Sequence, residues 1–445
     1  MRLAVALIVT ALAHTGLLVG APGASAQTPS AASTPSLQEL LARPITVEEA
    51  VSFALEAQPQ IQARLSDYAA TRFRVTQAFA PLLPQLTGTW NAQRDQSVTN
   101  NSAFAAQTGG SRTFWTSTTS ARVSLSQTLF DFGKTAAASE VARKNAEVAF
   151  QSIELQRQQL VDTVKEAYTN IVFARRLIKV QEQALQRANL NLRSARGFFE
   201  VGTQPRSVVT RAEVDVANAK VAIIQARNAE SLARVALNSA MGIAADAPTQ
   251  VIDNLAYVPV SIDRSTLLKE ALSRRPEYRQ AQLTAEAADA TLKQSFRNFF
   301  PSVTGGGFYG AAREDFNEIW ELNVGLSWTL FDGGNLIAKY KEARANLDAA
   351  QARVKASELT IAQDVEQARL SLTEADERIQ AAKVAVESAQ ENFRLAQGRF
   401  DAGVGTILEV TDAQLALTQA QNTEAQALAD FRIAQARLDR ALGRR

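Results

Sequence analysis

Hydrophobic residues recur along this chain with two periods. In the first long polar-rich stretch, Ile171, Ile178, Leu185, Leu192 and Phe199 stand every seven positions. Ala174, Gln181, Ala188 and Ala195 follow three positions after the first four. A second stretch repeats this with Leu372, Ile379, Val386, Phe393 and Phe400, accompanied by Ala375, Ala382, Ala389 and Ala396. A sustained heptad predicts supercoiled helices packed knobs into holes, and alanine at the second seam position lets them approach closely. Helices are predicted over 134–198 and 335–400, each followed, after a glycine break, by a shorter one over 205–241 and 406–442. A helix over 134–198 is about 97 Å long at 1.5 Å per residue, too long for a compact globule.

The other period is two. From Ile319 to Phe331, Trp320, Leu322, Val324, Leu326, Trp328 and Leu330 alternate with small or polar residues. Val123, Leu125 and Leu129 do the same more weakly before Phe130, and Leu86, Trp90 and Ala92 face away from Thr87, Thr89 and Asn91. The alternation predicts strands with one wet and one greasy face, over 85–96 with 113–130 and over 302–312 with 319–331. All four tryptophans, Trp90, Trp115, Trp320 and Trp328, lie in these strands. Membrane barrels place interfacial aromatic belts in this way.

The order of elements occurs twice. Pro59 and Pro276 stand 217 apart (276 − 59), and so do Pro84 and Pro301. From the "TLFD" runs, Thr128–Asp131 and Thr329–Asp332, the offset falls to 201 and stays there through Gly202 and Gly403 (403 − 202). Long repeats are settled before a fold is assigned. The first repeat, 44–242, and the second, 263–445, each read as a helical segment (44–80 and 263–299), a β-hairpin (85–130 and 302–331), a long helix, a tip (near 199–206 and 400–406) and a return helix. Residues 243–262 connect them. The first copy's excess of 16 residues (217 − 201) is expected in the loop-like stretch Ser97–Arg112.

Composition narrows the chemistry. Arg2, the apolar run Leu3–Ala13 and the Ala24-Ser25-Ala26 site read as a bacterial secretory signal over 1–26, with a flexible Pro/Ser/Thr linker over 27–43. There is no cysteine, and the single histidine, His14, lies in the signal. Disulfides, Ser-His or Cys-His catalysis and the usual zinc sites are thereby closed, and no cofactor is implied. With 47 basic and 45 acidic residues, bulk charge does not indicate a nucleic-acid partner.

Four strands per chain cannot close a barrel, and an open edge cannot face lipid. If the hairpins enter a membrane, several chains must assemble. Taken together, the tandem repeat, the paired "TLFD" runs and the paired breaks "FEVGT" (Phe199–Thr203) and "FDAGVGT" (Phe400–Thr406) resemble the TolC-like outer membrane efflux (outer membrane factor) family over essentially the whole mature sequence. The resemblance implies an α+β membrane protein: a homotrimer whose 12-strand outer-membrane β-barrel continues as a 12-helix periplasmic α-barrel. It implies an exit duct for drugs, other small molecules or proteins, not an enzyme. Its partners would be outer-membrane lipid, a periplasmic adaptor (membrane fusion) protein and an inner-membrane transporter of RND or ABC type, in an efflux pump or type I secretion system.

On that reading Val201, Gly202 and Thr203, with Gly403, Val404, Gly405 and Thr406, form the periplasmic tips that close the tunnel and meet the adaptor. Glu409 and Asp412, spaced i and i+3 on one helical face, would make two stacked carboxylate rings that favour cations at the aperture. They match the acidic aperture positions of the best-known member. The gate departs from that member: Gly405 replaces an arginine, Val208 an aspartate and Phe400 a tyrosine. Phe199 and Phe400 mark the gate region, and a substitute link is expected from Arg206 or Arg211 to Glu409 or Asp412. Two other readings compete, a secreted periplasmic coiled-coil adaptor without a membrane barrel and a hydrolase using paired carboxylates. The first leaves the alternating strands unexplained, and the second lacks a pocket or nucleophile motif.

Overall fold

The computed structural model describes residues 43–99, 112–253, 255–259, 264–312 and 317–444. The expected signal, nearly all of the linker, the core of the first loop and parts of the connector lie outside them. In chain order the elements are α1 (Val47–Ala57), α2 (Pro59–Phe79), β1 (Gln85–Thr99), β2 (Arg112–Phe130), α3 (Lys134–Glu200), α4 (Arg206–Met241), α5 (Arg264–Arg274), α6 (Pro276–Arg297), β3 (Ser302–Ala312), β4 (Asn317–Ser327), α7 (Asn335–Asp401) and α8 (Ile407–Ala441).

Both long helices have 67 residues, about 100 Å at the helical rise. The segments expected over 44–80 and 263–299 are each two helices, broken before Pro59 and Pro276. Proline lacks the N–H for the i→i−4 bond and clashes with the preceding turn, so each serves as the first residue of a new helix.

The four strands form one antiparallel sheet in the order β1-β2-β3-β4. The excess of the first hairpin is only partly loop: pairing continues to Thr99 opposite Arg112, whereas the second hairpin stops at Ala312 opposite Asn317. Four extra residues lie in β1 and four in β2, and eight fall between the strands. The strand expected to reach Phe331 ends at Ser327, opposite Ser302. Pro301 precedes Ser302 and has no N–H with which to extend the ladder. Trp328 instead donates its indole N–H to the Phe299 carbonyl at 3.0 Å.

Each hairpin ends on an aspartate that starts the next helix. The Asp131 carboxylate accepts from the N–H groups of Gly133 (2.9 Å) and Thr135 (2.8 Å), and Asp332 accepts from Leu336 N–H at 2.9 Å. Burial pushes the Asp131 carboxyl up, but the bonds from Thr135 and Gly133 outweigh it and hold the group below its usual range.

Packing places the helices side by side in a wall. Near the sheet the order is α2–α3–α6–α7, and at the far end it is α4–α3–α8–α7. Between the two ends, the start of the first repeat is strapped to the segment that follows it. Ile45 and Val251 form a parallel bridge, and the buried Tyr168 hydroxyl lies 2.8 Å from both the Ile45 and Ile252 carbonyls and accepts from Ile252 N–H at 3.1 Å. Tyr168, Leu237, Met241 and Leu255 share the core beneath this strap.

Candidate functional site at the two helix turns

The turns at 201–205 and 402–406 have matching backbones. Gly202 and Gly403 adopt φ +78° and +77°, the left-handed region that lets a helix end without a Cβ penalty. Gly202 N–H donates to Phe199 O and Thr203 N–H to Phe198 O; Gly403 and Val404 repeat these bonds to Phe400 and Arg399. Gln204 N–H then reaches Phe198 O at 3.3 Å, and Gly405 N–H reaches Arg399 O at 2.9 Å. The second turn is the tighter one. A Cβ on Gly405 would lie 2.9 Å from both Arg399 Cβ and Phe400 N.

The helices that leave the turns start differently. α4 begins behind Pro205, which offers no side-chain cap, whereas the Thr406 hydroxyl accepts from Glu409 N–H at 3.3 Å. The Thr203 hydroxyl turns back and donates to Phe198 O at 2.9 Å. Val201 and Val404 project outward, 71% and 70% exposed, so each turn presents an apolar residue beside its glycine.

The two turns share one hydrophobic core. Ala195, Val208 and Ala212 from the first pack with Ala396, Phe400, Ile407, Val410 and Ala413 from the second. Phe400 is 2% exposed, but Phe199, its counterpart in the repeat, is 44% exposed. Phe198 takes the inward place and meets Phe400 edge to face at 5.4 Å. In the first copy the buried seam passes through Ala184 and Asn191 towards Phe198, one residue ahead of the expected row. The alanine row keeps its register, with Ala174, Ala188 and Ala195 buried, so only the large-residue side of the seam is displaced. In α7 the seam holds its register to Phe400.

A polar ladder runs along the α3–α8 seam into this core. Gln181 donates to Asn422 (3.4 Å), Arg187 to Thr418 and Gln421 (3.4 and 3.3 Å), and Asn191 to Gln414 (2.8 Å), which donates in turn to Ala184 O (3.1 Å). At its lower end the Thr411 hydroxyl donates to Asp215 at 3.0 Å and links the two return helices. Sequence reasoning missed this ladder. Its residues are ordinary polar side chains, and only the α3–α8 contact, between residues more than 220 apart, shows that they pair.

Glu409 and Asp412 both lie on exposed positions of the first turns of α8. Glu409 forms an ion pair with Arg399 at 3.5 Å across the turn. On the first turn, Arg196 pairs with Glu213 at 2.9 Å. Arg206 and Arg211 are exposed on α4, and the ion pairs found among the described residues include neither.

Among the described residues no helix is long and apolar enough to cross a membrane. One face of the sheet carries exposed apolar surface, where Leu86, Trp90, Val123, Leu125, Trp320 and Leu322 are all at least 45% exposed.

These features have counterparts among known proteins. The family model for outer membrane efflux proteins matches residues 50–243 and 267–444. The pyoverdine export outer membrane protein OpmQ of Pseudomonas putida is 24% identical over 439 residues, covering 95% of this chain and 92% of that one. Outer membrane protein TolC of Escherichia coli is 25% identical over 401 residues, 83% and 76% of the two chains. In structure, the outer membrane protein VceC from Vibrio cholerae has a TM-score of 0.74 at 18% identity, covering 89% of this chain and 96% of that one. The outer-membrane channel OprN gives 0.76 at 18% identity, with 89% of each chain covered. The likeness to channels that join a helical barrel to a β-barrel extends over the fold, and the idea of a barrel-less adaptor finds no support in it. The chain belongs to the outer membrane efflux protein family, and it is an outer-membrane exit duct for efflux in a Gram-negative cell.

Proposed function

We propose that the duct is a homotrimer in which three four-stranded sheets close a 12-strand barrel and the helices continue it as a 12-helix periplasmic tunnel. One observation carries this reading. The unpaired edges of the sheet and of the helical wall coincide, with β1, α2 and α4 on one side and β4 and α7 on the other. The α4 edge exposes Val214, Val221 and Ile224, and the α7 edge exposes Leu370, Val384 and Leu395. Each edge is apolar and unlike the other, which suits a head-to-tail ring that closes on itself. In lipid an open sheet edge leaves backbone groups unsatisfied, so closure is obligatory.

Within this trimer the turns form the periplasmic rim. Val201, Gly202, Thr203, Gly403, Val404, Gly405 and Thr406 present the surface for a periplasmic adaptor, and Glu409 and Asp412 ring the aperture. An inner-membrane transporter of RND or ABC type supplies drugs, other small molecules or proteins, and the duct passes them without chemistry of its own.

The chain has no cysteine, so introduced pairs report cleanly. Val221 and Val384 lie at similar heights above the rim, 15 residues from the start of α4 (221 − 206) and 17 from the end of α7 (401 − 384). Oxidation of a Val221→Cys/Val384→Cys variant in outer membranes should give a ladder that ends at three copies. A ladder ending elsewhere, or none, rejects the trimer.

A further inference from the structure

The sheet carries one feature that neither a lipid wall nor a plain polar lumen calls for. Its two faces are well separated. Leu86, Trp90, Val123, Leu125, Trp320 and Leu322 share one face through the strand register, and Thr87, Thr89, Ser124, Ser126 and Asn323 share the other. In a closed barrel the apolar face meets lipid and the polar face lines the lumen. Phe308 and Ile319 break the pattern on the polar face, and Phe308 stands opposite Ser124 on β2 and Glu321 on β4.

Phe308 is flanked by opposite charges. Arg122 lies diagonally across from it, and its guanidinium carbon sits 5.6 Å from the centre of the Phe308 ring. Diagonal neighbours on one face are within reach of long side chains, and a cation over an aromatic face is held there. The residue directly opposite Arg122 is Gly310, where an added Cβ would lie 2.7 Å from Arg122 Cβ. No side chain there obstructs the arginine as it leans along β3. On the far side Glu321 is exposed, and its carboxylate accepts from Asn323 at 2.9 Å. Cation, ring and anion therefore form a row across β2, β3 and β4, with the two charged strands about 10 Å apart at ordinary strand spacing.

We propose that this row is a charge-and-ring filter inside the barrel, separate from the rim, and that it makes transient contact with zwitterionic aromatic solutes. The inference rests on the closed-barrel reading. Three copies alternate Arg122 and Glu321 around the lumen, so the field they produce runs along the lumen wall, from each arginine to the neighbouring glutamates. A solute carrying both charges aligns with that field, and its ring finds Phe308 between them.

The test uses the purified trimer in planar bilayers under a salt gradient, with free tryptophan as the zwitterionic probe. Arg122→Gln should raise the cation-to-anion permeability ratio about twofold and Glu321→Gln should lower it about twofold, because each removes one sign of charge from the lumen. Tryptophan should add open-channel current noise to the native protein, and that noise should be lost in Phe308→Leu and in Arg122→Gln. Arg122→Lys keeps the charge but not the planar stacking, so it should keep the native ratio and lose the noise. Unchanged ratios in both charge variants, while Glu409→Gln at the rim still shifts its own, overturn the filter alone. Shifts of the same sign in both variants overturn it too, because they report a distorted barrel. A native protein that forms no conducting trimer overturns the closed barrel and the filter together.

Discussion

The rings of Phe198 and Phe400 meet edge to face, with centroids 5.4 Å apart and planes at 90°. This contact joins the end of one long helix to the end of the other, inside the core shared by both turns. Phe400→Ala empties a site that is 2% exposed and should cost about 3–5 kcal/mol. Phe199→Ala removes a half-exposed ring and should cost little. Limited proteolysis should show early cleavage at the turns in the first variant only. Equal protection of the two would mean that the shared core does not hold the turns.

The glycines at the turns are required for different reasons. Gly202→Ala and Gly403→Ala meet no neighbour within 4 Å, but each places a Cβ at a φ near +78°. The left-handed penalty is about 1–2 kcal/mol per residue. Gly405→Ala has an ordinary φ but a Cβ 2.9 Å from backbone, so its cost is steric and depends on the turn opening. The first turn, with Gln204 at that position and a 3.3 Å bond, shows what the opened form looks like. Gly405→Ala should therefore be tolerated better than Gly403→Ala in thermal melts. The reverse order would place the strain at 405 instead.

Tyr168 should make stability sensitive to alkali. Burial raises its hydroxyl pKa to about 12, against an ordinary value of 10.0. The folded state therefore keeps a proton that the unfolded chain releases first. The contribution is complete below the unfolded value and is lost as pH rises from there through the folded value. Tyr168→Phe should abolish this alkaline limb. At neutral pH it should cost about 1–3 kcal/mol, because the Ile45 and Ile252 groups lose a buried partner. Denaturant midpoints at pH 8 and 11 for both proteins measure the difference. Parallel pH curves would show that the hydroxyl is not the titrating group.

The parts of this fold that were legible in the sequence are those that depend on local period. Alternation in 319–327 and the heptads through Leu372 and Ile379 reflect which side of an element is buried, and burial recurs at the element's own pitch. The paired glycines were legible because a left-handed turn restricts residue type. What stayed hidden depends on geometry between elements. The exchange of Phe199 for Phe198 is decided by packing against Phe400 from the other repeat, which neither heptad reveals alone. The Arg399–Glu409 and Thr411–Asp215 pairs involve common residue types that become partners only when the chain turns back. The end of β4 was set by a proline on the neighbouring strand rather than by its own sequence.

The rim's charge should depend more on Asp412 than on Glu409. Both carboxylates are exposed, but Arg399 stands 3.5 Å from Glu409 and offsets its field, whereas Asp412 lies one turn further along α8. An exposed pair of this kind contributes about 0–1 kcal/mol to stability, so its removal should leave the fold intact and change only the local potential. In bilayer recordings, Asp412→Asn should lower cation preference more than Glu409→Gln does, and Arg399→Gln should raise it. Arg206 and Arg211 enter only if they reach a carboxylate of the neighbouring copy. In that case Arg206→Ala with Arg211→Ala should increase conductance by loosening the closed rim, and the effect should shrink at high salt, where exposed charges are screened. Unchanged conductance in the double variant removes the inter-copy link.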